Sequence, residues 1–297
     1  MKRKTLVIGI ILLFVGACII PAIAQDTEKP LPTSRGNWLY VGGNGPGNYT
    51  KIQDAIDNAS DSDNIYVYSG LYNENIVINK SISLIGQNRD TTRILGVNGT
   101  EIIRLQDCSV ELTGFNIQKY NETNSAGISI TNCWDCHIHD NNITSCEIGI
   151  LMGSTDSTII SNNTIFNCSN GISIILIANI TITHNRIEGN GKSTGIALSG
   201  VAFGIQYKNY ITRNSIVNNS LGLFLQGAWS VIIQENNFIG NQKDAFFLFS
   251  FFNKWNQNYW NQPSILPKII PGRLGLRGLI PLINFDWHPA QEPFIIP

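Results

Sequence analysis

From residue 127 onward the chain repeats one short pattern of apolar and polar positions. Gly127-Ile128-Ser129-Ile130 is followed by Gly149-Ile150-Leu151-Met152, Gly171-Ile172-Ser173-Ile174, Gly195-Ile196-Ala197-Leu198 and Gly222-Leu223-Phe224-Leu225, at steps of 22, 22, 24 and 27 residues. Ala245-Phe246-Phe247-Leu248 reads as a sixth copy, 23 residues further on. A second segment runs in phase with the first. Ile138, Ile160, Ile182 and Ile233 sit in short alternating stretches, and an Asn recurs behind them at 141, 163, 185, 214 and 236. An apolar residue follows two positions after each Asn, and three positions later come Cys146, Cys168, Asn190, Asn219 and Asn241.

Alternation with period two marks strands that bury one face. Each unit of about 22 residues holds about three such strands, and no unit can bury its apolar face alone. Stacked units bury a continuous apolar column and pair their backbones about 4.8 Å apart. The predicted architecture is therefore all-β: a single-stranded right-handed parallel β-helix with three short strands per coil. The recurring Asn fits a corner of that coil, because Asn tolerates a left-handed turn and its amide can bond to the next Asn in the stack. A leucine-rich repeat needs a Leu-rich frame, which is absent, and a propeller blade needs twice the period.

Both ends of an open β-helix expose strand edges that need covers. Ile52, Ala55, Ile56 and Ala59 have helical spacing, with Thr50 as the expected N-cap, so a short amphipathic helix is predicted to cap the first coil. The repeat fades near Asn253, and residues 263–297 are rich in Pro and Ile, which predicts an irregular C-terminal cap folded back over the last coil. At the other terminus Lys2, Arg3 and Lys4 precede the apolar run Leu6–Ile20, then Pro21 and Ala22-Ile23-Ala24. That order predicts a secretory signal, with an uncleaved anchor as the alternative. The expected layout is a signal peptide over 1–24, an N-terminal segment with the capping helix over 25–64, the β-helix over 65–252 and the C-terminal cap over 253–297. No later stretch is long and apolar enough to span a bilayer, so no membrane span is expected after cleavage, and the product is expected to be an extracellular or cell-surface monomer.

Charge alters this picture mainly by exclusion. Charged residues make up 14% of the chain and the formal net charge is -1, which argues against a nucleic-acid partner. Asn, Ile, Ser, Thr and Gly dominate instead, the composition of many short strands joined by sharp turns.

The opening Tyr40-Val41-Gly42-Gly43, Tyr49-Thr50-Lys51-Ile52-Gln53-Asp54-Ala55-Ile56, Ile65-Tyr66-Val67-Tyr68-Ser69-Gly70-Leu71-Tyr72-Asn73-Glu74 and Leu84-Ile85-Gly86 resembles that of pectin-lyase-like β-helix proteins. With the Asn-rich coils behind it, the chain is most similar to NosD-like, carbohydrate-binding and sugar-hydrolase (CASH) β-helix proteins of the archaeal cell-surface type. Asn258-Tyr259-Trp260 and Phe285-Asp286-Trp287-His288-Pro289-Ala290 resemble the C-terminal part of such proteins. The resemblance implies the fold strongly and an activity weakly, since one fold of this kind hosts many functions. The NosD name also implies a link to copper delivery.

Three functions follow as expectations. The favoured one is a non-catalytic protein that binds a polysaccharide or cell-envelope glycan on faces of Asn, Ser, Thr and Tyr, with Trp134, Tyr207 or Trp229 stacking on sugar rings. The second is a polysaccharide lyase or hydrolase; the Asp-Asp and Gly-His-Gly signatures of polygalacturonases are absent, and no catalytic residue is assigned. The third is a copper-binding accessory protein. Cys133-Trp134-Asp135-Cys136-His137-Ile138-His139 carries soft donors suited to copper or zinc. Because Ile138 aligns with inward Ile160 and Ile182, His137 and His139 should both face outward, roughly 6.6 Å apart along the strand, with Cys136 facing in. They are the candidate metal ligands, with help from a neighbouring coil. Asp135, Asp140, Glu147 and Asp156 are the densest acidic set, and they permit a weak calcium site or simply solvated turns.

Cys108 and Cys133 align on successive coils, as do Cys146 and Cys168, which places each pair within disulfide range. Two states stay open for these four residues: disulfides, or reduced small residues buried in the stack.

Overall fold

The computed structural model describes residues 36–97, 99–119, 125–189, 194–200, 208–274 and 280–296. The expected signal at 1–24 and Tyr207 lie outside these residues. The described chain is a parallel β-solenoid whose strands fall into three rows, one strand of each row per coil. The second sheet holds nine strands in strict coil order, from Gly70–Tyr72 to Tyr259–Trp260. The other two rows share the larger sheet. One of them runs from Trp38–Val41 through His137–His139 to Lys254–Asn256, and the other from Ile76–Ile78 through Ala126–Thr131 to Lys243–Leu248.

The repeat register is the one read from the sequence. Ile128, Ile150, Ile172, Ile196 and Leu223 lie over one another, and so do Ile138, Ile160, Ile182, Ile211 and Ile233. All of these side chains are buried. The sixth copy needs one correction. Leu223 pairs with Ala245, so Asp244, not Ala245, takes the place of Gly222, and the step is 22 residues rather than 23. The glycines that open these strands answer to crowding. A Cβ on Gly149 would lie 2.5 Å from a methyl of Ile165 and 2.6 Å from the carbonyl oxygen of Gly171 on the next coil.

The Asn row forms a continuous buried ladder. Each Nδ2 donates to the Oδ1 one coil on: Asn141 to Asn163 at 3.2 Å, Asn163 to Asn185, Asn185 to Asn214 and Asn214 to Asn236 at 3.0 Å, and Asn236 to Asn258 at 2.9 Å. Asp286 accepts the last amide at 3.0 Å. The expectation that these Asn residues themselves adopt the left-handed turn is corrected. Positive φ falls on the residue before each of them: Asp140, Asn162, His184, Arg213, Glu235 and Gln257, at 53–57°. Those side chains point outward, while the ladder amides bond to backbone carbonyls and offset the strain of the corner.

At the N-terminal end the solenoid starts earlier than expected. Trp38–Val41 already pairs with Asn64–Val67, ahead of the helix Ile52–Asn58. The helix buries Ile52, Ala55 and Ile56, as its spacing requires. Its cap differs from the sequence expectation. Lys51 holds the N-cap place and makes no side-chain cap, and Thr50 does not serve. Instead the carboxylate of Glu74, from the following coil, accepts from the N–H groups of Ile52 at 2.9 Å and Gln53 at 3.0 Å. A carboxylate there also faces the positive end of the helix. Glu74→Ala is expected to lower unfolding stability by about 1–2 kcal/mol, read by thermal melting, and a loss under a few tenths would show that the cap is not used.

At the other end the rows continue through Lys254–Asn256 and Tyr259–Trp260. An antiparallel hairpin, Lys268–Leu274 with Ile280–Asp286, then folds back onto the solenoid. Its inner residues Ile270 and Asp286 are buried, whereas Ile265, Ile269 and Ile283 are exposed.

Candidate metal centre

The strand His137–His139 pairs with Glu111–Thr113 on the preceding coil and Ile159–Ser161 on the following one. Ile138 points inward and is fully buried, so both histidines face outward, as their register requires. Although they leave the strand two residues apart, their rings converge to a centroid distance of 4.0 Å. Register places Glu111 directly opposite His137. One donor atom from each of Glu111, His137 and His139 lies within 4.8 Å of the other two, and this is the single such trio among the described residues. The neighbouring-coil donor that the sequence reading left unnamed is, by position, Glu111. Its signal was the coil alignment, which the 25-residue match of Cys108 with Cys133 carries one residue out of step, since Glu111 pairs with His137 at a spacing of 26.

Hydrogen bonds orient the cluster. His139 Nδ1 lies 2.7 Å from Asp140 Oδ2, and His139 Nε2 lies 3.3 Å from Glu111 Oε1. His137 Nε2 lies 2.9 Å from Ser161 Oγ on the next coil. The ladder takes part, since Asn141 Nδ2 donates to the carbonyl of His139 at 2.8 Å and pins the end of that strand. Asp140 occupies the left-handed corner, which aims its carboxylate back at His139. A carboxylate on Nδ1 fixes one tautomer and leaves Nε2 free to ligate.

The two histidines titrate in opposite directions. Burial depresses His139, but the hydrogen bonds to Glu111 and Asp140 outweigh it and raise its pKa above the ordinary value. Burial, and then the charge of His139, hold the pKa of His137 below the ordinary value. The hydrogen bond from His139 keeps Glu111 below the usual carboxylate range despite its burial. His137 thus gives up its proton at lower pH than an ordinary imidazole, and His139 at higher pH. Two consequences follow for pH. The stability that protonated His139 contributes is fully present below its unfolded value and fades as pH rises through the folded pKa. Metal affinity runs the other way and should rise with pH across that same raised pKa, which titrations at stepped pH would read as proton release on binding.

Imidazole nitrogens with a carboxylate oxygen are donors suited to copper(II), zinc or nickel, so the residues present fit a copper ion. The calcium expectation fares differently. Asp135, Asp140, Glu147 and Asp156 form no three-donor group with one another among the described residues. Asp135 turns a left-handed corner, and Asp140 serves His139.

Cys136 faces inward and is buried, as expected. Cys108 and Cys133 lie over one another with Sγ atoms 3.8 Å apart, a contact and not a bond. Cys146 and Cys168 are buried, and their thiols donate to the carbonyls of Thr144 and Phe166.

Two carboxylate–arginine pairs border grooves elsewhere and were not singled out from sequence. Arg104 Nη2 meets Glu101 Oε2 at 2.7 Å beside a groove of about 400 Å³, and Arg213 Nε meets Glu235 Oε2 at 2.6 Å beside another of about 410 Å³ that also touches His184. Burial acts to raise Glu101, but bonds from Thr100 and Arg104 pull it below the usual carboxylate range. The Arg213 hydrogen bond lowers Glu235 likewise. Neither is poised as a proton donor near neutral pH. No helix among the described residues is long and apolar enough to cross a membrane.

The chain is similar to known proteins at three levels. It is 36% identical over 102 residues to "Probable pectinesterase/pectinesterase inhibitor 6" of Arabidopsis thaliana, a match over 30% of this chain that spans only 18% of that protein's length. Among solved structures it is similar to the A-module of the mannuronan C-5 epimerase AlgE4 of Azotobacter vinelandii, at 14% identity and a TM-score of 0.45, over 79% of this chain and 81% of that one. It is also similar to the pectin methylesterase of Aspergillus niger, at 16% identity and a TM-score of 0.43, over 73% and 84% of the two chains. Residues 56–273 match the family described as "Periplasmic copper-binding protein (NosD)", a stretch that takes in nearly the whole solenoid with Glu111, His137 and His139, and the chain belongs to that family.

Proposed function

We propose that this chain is an exported β-helix protein that holds a copper(II) ion at Glu111, His137 and His139 and acts as a binding or accessory protein. The observation that carries the reading is the convergence of those three donors from two adjacent strands, with His139 already oriented by Asp140. The family description, copper-binding and periplasmic, supports both the metal and the export. Strands held by a fully bonded ladder make a stiff platform, which favours preorganised ligands. A bound ion supplies a positive centre with open positions for a further ligand.

Titration calorimetry and electron paramagnetic resonance with copper(II) test the proposal. Wild type should bind one equivalent with nitrogen coupling in the spectrum, and His137→Ala/His139→Ala should bind none at that site. Asp140→Asn should weaken binding by about 10–100-fold, because it removes the group that orients His139. Unchanged affinity in the double variant would sink the reading. Export is tested separately by N-terminal sequencing of the mature protein, where a start at Gln25 is expected.

Glycan binding stands as a second reading, favoured by one observation. Trp229 packs against Phe251 and Phe252 at centroid distances of 5.0 and 5.6 Å with the rings tilted, and Phe252 is 75% exposed in a left-handed conformation that a Phe rarely adopts. Loss of glycan-array signal in Phe252→Ala would support a sugar-stacking platform there, and an unchanged signal would count against it.

A further inference from the structure

Beneath the outward histidines, on the inner side of the same coils, three cysteines are buried, and two of them touch through their sulfurs. Cys108, Cys133 and Cys136 are 1–2% exposed and belong to the continuous apolar core. Cys108 and Cys133 occupy matching places on successive coils, with Sγ atoms 3.8 Å apart. The thiol of Cys136 donates to the carbonyl of Cys108 at 3.7 Å, and that of Cys133 to the carbonyl of Thr131 at 3.3 Å. Nothing in the outer metal reading uses these groups.

We propose that Cys108 and Cys133 form an interior site for a soft monovalent cation, copper(I), separate from the copper(II) site on the outer face. Three arguments carry it. The first is spacing. Two sulfurs bound to one ion at about 2.3 Å each, as in zinc thiolates, lie no more than about 4.6 Å apart, and at a trigonal angle about 4.0 Å apart. The observed 3.8 Å needs almost no movement, whereas a disulfide at about 2.0 Å needs the sulfurs to close by nearly half that gap. The second is chemistry. The immediate donors are sulfur, which suits soft ions such as copper(I) and zinc. The third is charge. Binding that releases one thiol proton leaves one thiolate beside the ion. One thiolate with one monovalent cation is neutral, the state an apolar core accepts, whereas a divalent ion would leave a buried charge there.

No redox step is part of the proposal. Copper(I) displaces the proton of Cys133 where it is present, Cys108 donates as a neutral thiol, and the proton leaves to solvent.

The test is an anaerobic titration of the full chain with copper(I) against the chelator bicinchoninate. Wild type should hold one equivalent and develop ultraviolet thiolate-to-copper charge-transfer absorption. His137→Ala/His139→Ala should hold the same equivalent, which separates this site from the outer one. Cys133→Ala and Cys108→Ala, each checked for a wild-type far-ultraviolet circular dichroism spectrum, should hold none. Should either variant fold poorly, X-ray absorption of the copper(I)-loaded wild type decides: sulfur-only neighbours support the site, and nitrogen or oxygen neighbours overturn it. Retention of copper(I) by a folded Cys133→Ala protein overturns it, as does a Cys108–Cys133 disulfide found by mass spectrometry of the purified wild type after alkylation under denaturing conditions.

Discussion

Asn185→Ala is expected to destabilise the protein by about 4 kcal/mol, because it leaves two or three buried groups without partners and each costs about 1–3 kcal/mol. Asn185 Nδ2 donates to the carbonyls of Ile160 and Thr183 and to Asn214 Oδ1, and its Oδ1 accepts from both nitrogens of Asn163. Five hydrogen bonds thus pass through one side chain that is wholly buried. Alanine restores none of them. Denaturant unfolding against Asn79→Ala, an exposed Asn outside the ladder, is the comparison, since surface changes of that kind stay within about 0.5 kcal/mol. A loss under 1 kcal/mol for Asn185→Ala would mean that the ladder follows the fold instead of stabilising it.

Asp286→Ala should cost at least as much and should show where the solenoid ends. Every Asn in the ladder passes an amide hydrogen to the next, so the last one needs a partner that only accepts. Asp286 Oδ2 accepts from Asn258 N, Asn258 Nδ2 and Trp260 Nε1, and Oδ1 accepts from Gln257 N and His288 N. The carboxylate is fully buried, and five N–H donors balance its desolvation. Alanine orphans those donors and loosens the hairpin over Trp255 and Trp260, for a loss of about 4–5 kcal/mol on the same scale of unsatisfied groups. Limited proteolysis should then cut between Trp260 and Lys268 before the rest of the solenoid is attacked. Asp286→Asn should fall between wild type and alanine, since an amide keeps one acceptor but brings hydrogens with no place to go. Wild-type resistance to protease in Asp286→Ala would remove the carboxylate from its role as terminator.

The metal trio shows where pattern reading works and where it stops. Two features placed His137 and His139 on the outer face: the inward Ile138 and the two-residue period of a strand. Neither could supply Glu111, which lies 26 residues before His137 in a coil without the Gly-Ile phrase that anchored the alignment. The offset of Ala245 has the same origin. An aspartate stands where the other copies have glycine, and a pattern keyed on glycine slid by one residue.

Local order determined what is periodic in this protein. The alternation of Ile with Ser and Thr, the recurring Asn and the step of about 22 residues together dictate stacked coils, because no single coil can bury its own apolar face. Tertiary structure alone decided what depends on contact between coils: Glu74 as the cap of a helix twenty-odd residues earlier, Asp286 as the acceptor that closes the ladder, the left-handed corner one residue ahead of each Asn, and Glu111 beside the two histidines. Each of these is a pairing between residues on different turns. Its partner is chosen by which side chains the stacking brings within hydrogen-bond reach, and that distance is not a property of either residue's own neighbourhood in the chain.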